Sequence, residues 1–406
     1  MKKYGKIKKE GTMKKSIRDF ELNGKKVIIR VDFNVPMENG IITDDNRIRE
    51  SLETIEYAVD HGAKVILLSH LGRIKTEEDK KGHSLKPIAD RLQGLITSKV
   101  IFVPETRGTL VEEKVKNLND GEILLLENTR FEDVLDSKES NDDTELGVYW
   151  ASLGEIFIND AFGTAHRTHA SNVGIASNLP SGIGFLIEKE LKAFEPLLEN
   201  PEHPFTIILG GAKVKDKIGV ISNLVEKADQ ILIGGGMAYT FLKATGIEVG
   251  SSLVDDSSLD FCKKILEEYD QKIILPIDSV NADEISSNTI PNECFISDIK
   301  QGEMGLDIGH NTVKLFGQYL RDSKTILWNG PVGVFEYDNF SSGTEGICQI
   351  LNDVDANIII GGGDTVAAVK KLGYEKAMSF LSTGGGAALE LLEGKTLPGI
   401  AAIDDL

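Results

Sequence analysis

Short apolar runs rich in valine and isoleucine alternate with amphipathic stretches along the whole chain. In the first half the runs occupy residues 26–33, 64–69, 100–103, 122–126 and 156–158, with helical patterns at 51–60, 85–95 and 143–153. The second half repeats the scheme with runs at 206–209, 230–233, 272–275, 325–327 and 357–360. Strands that are apolar at successive positions are buried on both faces, and helices between them imply parallel crossovers. The pattern predicts an α/β protein of two tandem, doubly wound parallel-sheet (Rossmann-like) domains joined by a hinge helix.

The boundary is expected after the segment LPSGIG at 179–184, because 185–200 reads as a helix ending before Pro201. The layout that follows is a disordered extension or upstream start at 1–12, an N-terminal domain at 13–184, the hinge helix at 185–200 and a C-terminal domain at 201–388. The tail, 389–406, is too short to be a domain and is expected to dock back on the N-terminal lobe. A helical connector, unlike a floppy linker, implies two lobes that hinge.

Charge narrows the partners. With 45 Lys and Arg against 64 Asp and Glu, the net charge is −19, which excludes nucleic acid or an anionic membrane as the expected partner. A small anion in a locally basic cleft remains compatible with that balance. The three cysteines, Cys262, Cys294 and Cys348, lack metal-ligand spacing and read as reduced thiols of a cytoplasmic protein. No apolar run approaches the roughly 18–20 residues that span a bilayer, and the start MKKYGKIKKEGT lacks the apolar stretch of a secretory signal.

Two asymmetries locate chemistry. Nine of the ten arginines lie within the first 167 residues. Arg47, Arg73, Arg130 and Arg167 follow or lie near the ends of predicted strands, where open α/β sheets bind ligands. The guanidinium fork grips phosphate or carboxylate with two parallel bonds. A solvated surface would explain any one of these arginines; four together point to a bound anion. Glycine shows the opposite bias, with triplets at Gly234–Gly236, Gly361–Gly363 and Gly384–Gly386 and the pair Gly210-Gly211 before them. Tight βα turns use glycine too, but four such turns in one half fit a nucleotide-lined cleft, where backbone without Cβ atoms approaches phosphate at helix N-termini. Neither a Walker A loop, nor a GxGxxG fingerprint, nor protein-kinase signatures are present.

The motifs together resemble the phosphoglycerate kinase family from about Ile17 to the C-terminus. RVDFNVP (30–36), LLSHLGR (67–73), LLENTRF (125–131) and NDAFGTAHRTHAS (159–171) carry the resemblance in the first half. GGAKVKDKI (210–218), IGGGMAYTFLK (233–243), WNGPVGVFE (328–336), GGGDT (361–365) and STGGGAALELLEGK (382–395) carry it in the second. The resemblance implies a monomeric, Mg²⁺-dependent glycolytic enzyme transferring phosphoryl reversibly between 1,3-bisphosphoglycerate and ADP, giving 3-phosphoglycerate and ATP. It further implies that Asp32, Phe33, Asn34, Arg47, His70, Leu71, Gly72, Arg73, Arg130 and Arg167 meet the glycerate. Lys213, Lys217, Gly305, Asn329, Glu336, Gly362, Gly363, Asp364 and Thr365 are expected at the nucleotide, with Asp364 nearest the metal. Arg47 and Lys217 are the residues expected to hold the migrating phosphoryl group, while His166 and His169 orient neighbouring groups or are structural. The chain departs from the family pattern at Ile74, at His310 in DIGH where DIGP is usual, at Phe380 and at Ala388. A catalytically weakened nucleotide-binding scaffold is the alternative; an NAD-dependent oxidoreductase is disfavoured by the missing fingerprint.

Overall fold

The computed structural model describes residues 13–406, so the expectation for 1–12 lies outside the described residues. The chain divides into two compact units, one running to Leu191 and including Thr396–Leu406, the other comprising Lys192–Lys395.

The first unit contains β1 (Lys26–Arg30), a hairpin of β2 (Met37–Glu38) and β3 (Ile41–Ile42), α1 (Asn46–Glu50), α2 (Leu52–Asp60), β4 (Lys64–Leu68) and α3 (Lys86–Gln93). There follow β5 (Val100–Val103), α4 (Thr109–Lys116), β6 (Ile123–Leu126), α5 (Thr144–Ser152), β7 (Ile156–Asn159), β8 (Ser181–Ile183) and the connecting α6 (Phe185–Glu199). Six strands form one parallel sheet in the order β5-β6-β4-β1-β7-β8. Every residue of β6 and β7 is buried, as continuous apolar runs require of strands covered on both faces. Val27, Ile29, Val65, Leu67 and Ile158 form the core with Ile55, Ala58, Ile88 and Leu92 from the helices. Burying each such aliphatic side chain contributes about 1.5–3 kcal/mol.

One strand that the pattern did not predict lies in the segment just before the expected domain boundary. Ser181–Ile183 is the edge strand β8, pairing Phe157 with Ser181 and Asn159 with Ile183. Three residues around a glycine carry no readable periodicity. What places the strand is packing: a Cβ on Gly182 would meet Phe20 at 2.7 Å.

The second unit comprises β9 (Phe205–Leu209), α7 (Ile218–Leu224), β10 (Gln230–Ile233), α8 (Met237–Ala244), α9 (Leu259–Glu268), β11 (Ile273–Ile274), β12 (Asp278–Ala282), β13 (Asn292–Phe295) and β14 (Met304–Ile308). It continues with α10 (His310–Asp322), β15 (Thr325–Asn329), α11 (Ser342–Asn352), β16 (Asn357–Gly361), α12 (Gly363–Lys371), β17 (Phe380–Leu381) and α13 (Gly386–Leu392). Its parallel sheet runs β11-β10-β9-β15-β16-β17. The chain winds outward from β9 to one edge and returns at β15, so the strand order reverses between β9 and β15, where doubly wound sheets open a crevice.

A three-stranded antiparallel sheet, β13-β12-β14, was not foreseen. The sequence of β12, DSVNA, is polar yet buried at every position, and a register shift between Val280 and Asn281 breaks the alternation. Ser279 and Asn281 are bonded within the sheet, with Ser279 Oγ donating to Asn281 Oδ1 at 2.8 Å and Asn281 Nδ2 to the Asn292 carbonyl at 3.1 Å, while Asp278 accepts from the first turn of α10.

The tail folds into the first unit through α14 (Pro398–Ala401). Asn159 Nδ2 donates to the Gly399 carbonyl at 2.8 Å, and Lys14 pairs with Asp405 at 2.7 Å.

Candidate active site

The carboxyl ends of β1, β4, β6 and β7 bring most of the predicted anion-binding residues to one edge of the first sheet. Asp32, Phe33 and Asn34 follow β1; His70, Leu71, Gly72 and Arg73 follow β4; Arg130 follows β6; Arg167 follows β7. Arg47 arrives from α1, and its Nη1 donates to Asp32 Oδ2 at 2.7 Å. Phe33 and Leu71 put their side chains into the core, and their main-chain N–H groups donate to Ser69 Oγ and Asn128 Oδ1. Arg73 and Arg167 are exposed, and Arg130 is half-buried against Ser140 and Asp133.

Side-chain amides stitch these loops together. Asn34 Oδ1 accepts from the Gly72 N–H at 2.8 Å, joining the β1 and β4 loops. Asn128 accepts from the Leu71 N–H at 3.1 Å and donates to the Leu71 carbonyl at 2.8 Å, joining the β4 and β6 loops. Each buried bond of this kind contributes about 0.5–1.5 kcal/mol. The main effect is positional, since the loops cannot drift independently.

Arg30, wholly buried, was not among the predicted site residues although it opens the RVDFNVP motif. Its Nε donates to Ser171 Oγ at 2.8 Å, and Ser171 in turn bonds the buried Glu139. Its Nη2 lies 3.2 Å from His70 Nδ1. A guanidinium has no acceptor, so His70 Nδ1 accepts and the ring hydrogen sits on Nε2. Burial, reinforced by Arg30, Arg130 and His169, pushes the His70 pKa down to about 3. Burial and the neighbouring arginines do the same to His169, also to about 3. Both rings are neutral at pH 7. Burial works to raise the Asp32 pKa, but Arg47, His70 and Arg30 together hold it below the ordinary carboxylate value.

In the second unit, the carboxyl ends of β9, β10, β15 and β16 enclose two adjoining cavities. The smaller, of about 250 Å³, is lined by Lys213, Lys217, Asn329, Gly362, Gly363, Asp364 and Thr365. The larger, of about 490 Å³, includes Gly305, Glu336 and again Asp364. All nine residues assigned to the nucleotide therefore lie on this one surface. Residues that sequence reasoning did not single out complete the larger cavity: Leu253, Met304, Leu306 and Val334 make it apolar. They come from three separate segments of the chain, Met304 and Leu306 sharing β14.

Glycine is required here by close approach. A Cβ on Gly210 would meet the Pro331 carbonyl oxygen at 2.1 Å, so the turns after β9 and β15 can only cross as bare backbone. A Cβ on Gly305 would fall 1.7 Å from the Tyr239 hydroxyl, which packs directly against that strand. Lys217 Nζ donates to Asn329 Oδ1, and Gly330 N–H to Thr365 Oγ1 at 2.7 Å. Burial lowers the Lys217 pKa, while Asp216, Asp364 and Glu393 work to raise it. The first turn of α12 begins at Gly363, so helix N–H groups face the same space as Lys217.

A cluster of arginines with neutral histidines on one α/β unit and a glycine-lined, lysine-bearing cavity on the other fit a phosphotransferase. The profile of the phosphoglycerate kinase family matches residues 17–395. A phosphoglycerate kinase of Enterococcus faecalis is 58% identical over 394 residues, covering 97% of this chain and 99% of the relative. That of Lacticaseibacillus casei is 57% identical over 391 residues, covering 96% and 98%. Among solved structures, the phosphoglycerate kinase of Coxiella burnetii superimposes with a TM-score of 0.85 at 39% identity, covering 96% of this chain and 98% of that one. The Pyrococcus horikoshii enzyme does so with a TM-score of 0.83 at 30% identity and the same coverage. The chain belongs to the phosphoglycerate kinase family, whose members are phosphotransferases with a carboxyl group as acceptor.

Proposed function

We propose that the first unit binds 3-phosphoglycerate or 1,3-bisphosphoglycerate and the second binds MgADP or MgATP, with phosphoryl transfer between them in glycolysis. The observation that carries this reading is the convergence of Lys217, Asp364 and the α12 N-terminus on one glycine-lined cavity. Arg47, Arg73, Arg130 and Arg167 supply guanidinium forks for the glycerate's phosphate and carboxylate. Asp32 holds Arg47 in place, and neutral His70 offers its Nε2–H as a donor without adding charge.

The acceptor carboxylate is ionised at neutral pH, so no general base is needed. The low pKa of His70 and His169 agrees with that. What remains is alignment and charge stabilisation for in-line transfer, the roles assigned to Arg47 and Lys217. Asp364 lines both cavities and fits a hard cation that takes one carboxylate and the nucleotide phosphates. Mg²⁺ held there would neutralise charge on the phosphates. Glu336 lines the larger cavity, and on this reading it accepts from ribose hydroxyls.

Domains at 13–184 and 201–388 with a hinge at 185–200, a tail at 389–406, a cytoplasmic location and a monomeric state complete the proposal. Among the described residues no helix is long and apolar enough to cross a membrane.

Turnover of ATP to ADP with 3-phosphoglycerate and Mg²⁺ tests the reading in the intact chain and in Arg47→Ala and Lys217→Ala. Each variant is expected to lose at least about a hundredfold, roughly 2.7 kcal/mol of transition-state stabilisation. A folded wild-type chain that binds MgADP without turnover would leave the weakened scaffold as the correct reading.

A further inference from the structure

Among the described residues, one group of metal-ligating side chains stands apart from both sites. It consists of Asp278 at the start of β12, Glu293 on β13 and His310, the first residue of α10. One donor atom from each falls within 4.8 Å of the other two. Bonds of about 2.0–2.2 Å to nitrogen and oxygen set the ligand atoms of a tetrahedral ion roughly 3–4 Å apart, so small side-chain rotations close the set.

Asp278 is the fixed member. It is buried, its Oδ1 accepts from the Thr312 N–H at 2.8 Å and its Oδ2 from the Asn311 N–H at 2.9 Å. Glu293 Oε1 accepts from the His310 N–H at 2.7 Å and lies 2.5 Å from His310 Nδ1. His310 Nδ1 is 4.0 Å from Asp278 Oδ2. The positive end of α10 would by itself repel a cation. Here its first N–H groups are already taken by the two carboxylates, whose negative charges favour a cation. The Glu293 and His310 side chains are 40% and 62% exposed, which leaves an entry path.

We propose that Asp278, Glu293 and His310 bind a divalent transition-metal ion of the zinc class, through Oδ2, a carboxylate oxygen and Nδ1, with water as the fourth ligand. On binding, the single ring hydrogen moves from Nδ1 to Nε2 by way of solvent, and Nδ1 exchanges its bond to Glu293 for a bond to the metal. An imidazole with two carboxylates suits zinc or cobalt better than magnesium, which prefers an all-oxygen octahedron. The ion fastens β13, an outer strand of its sheet, to the helix that follows β14, the strand carrying Met304, Gly305 and Leu306 to the larger cavity. The ligand at 310 is a departure from the DIGP pattern; proline has no donor there, so the site follows from this chain's own residue.

Calorimetric titration of the full chain with ZnCl₂, and optical titration with CoCl₂, test the proposal alongside His310→Ala and Glu293→Gln. The wild-type chain is expected to bind one equivalent of Co²⁺ with the intense visible bands of tetrahedral coordination. Both variants are expected to lose at least about tenfold in affinity while binding MgADP as before. Zinc is also expected to raise the thermal midpoint of the wild type more than that of either variant. A wild-type chain without tetrahedral Co²⁺ bands, or variants that bind as tightly as wild type, would overturn it.

Discussion

The two candidate surfaces, each at the open end of a parallel sheet, are built from opposite materials. The first unit uses buried charged and amide side chains: Arg30, His70 and Asp32 lie in one paired series, and Asn128 is bonded to the Leu71 main chain. The second uses backbone, with Gly210 and Gly330 crossing in contact and Gly362 and Gly363 opening α12. Side-chain networks in a low-dielectric site are strong but fail together when one charge is lost. Backbone surfaces carry little charge to lose but tolerate no added atom.

The largest effect that separates the two is expected at Arg30. Arg30→Met removes the buried guanidinium that bonds Ser171 and His70 and whose charge acts on Glu139 and Asp32, and urea unfolding is expected to show a loss of about 3–5 kcal/mol. A loss below about 1 kcal/mol would mean that packing, not charge, holds the first site. Gly305→Ala probes the other surface. The new methyl group collides with Tyr239, which is expected to cost about 1–3 kcal/mol and to weaken MgADP binding measured by calorimetry, with little change in 3-phosphoglycerate affinity. Equal weakening for both ligands would erase the contrast.

pH dependence sharpens it further. Burial lifts Asp160 in the first unit to about 7 and Asp307 in the second to about 8. Each binds its proton more readily folded than unfolded. The resulting stability is complete below the ordinary value of 3.8 and lost as pH rises through the folded value. His70 and His169 act in the opposite sense. Their contribution is present above 6.5 and lost as pH falls towards 3, so in the first unit the trends partly cancel. Asp307→Asn is therefore expected to gain stability relative to wild type from about pH 4 to about pH 8, read from denaturation midpoints. The gain for Asp160→Asn is expected to level off nearer pH 7. The smallest effect belongs to an exposed pair such as Lys81 with Glu78. Lys81→Ala is expected to shift stability by less than about 0.5 kcal/mol.

Legibility in the sequence followed the same divide. The parallel strands were readable because burial on both faces forces unbroken apolar runs such as those of β6 and β7. Charged site residues were readable because arginine and lysine motifs lie beside those runs. Arg30 was missed as a site residue because nothing in a sequence marks which arginine turns inward to meet Ser171 and His70. The sheet of β12, β13 and β14 was missed because its middle strand is polar and still buried.

The order of apolar runs and helical stretches by itself determined that this chain forms two parallel α/β units, since covering both faces of a strand leaves no other arrangement for such runs. Its motifs determined the family. Only the tertiary structure decided that β8 closes the first sheet, that Leu253, Met304, Leu306 and Val334 share one cavity, and that His310 faces Asp278 and Glu293. Those outcomes depend on contacts between residues far apart in the chain, where packing and hydrogen-bond satisfaction, not local pattern, choose the neighbours.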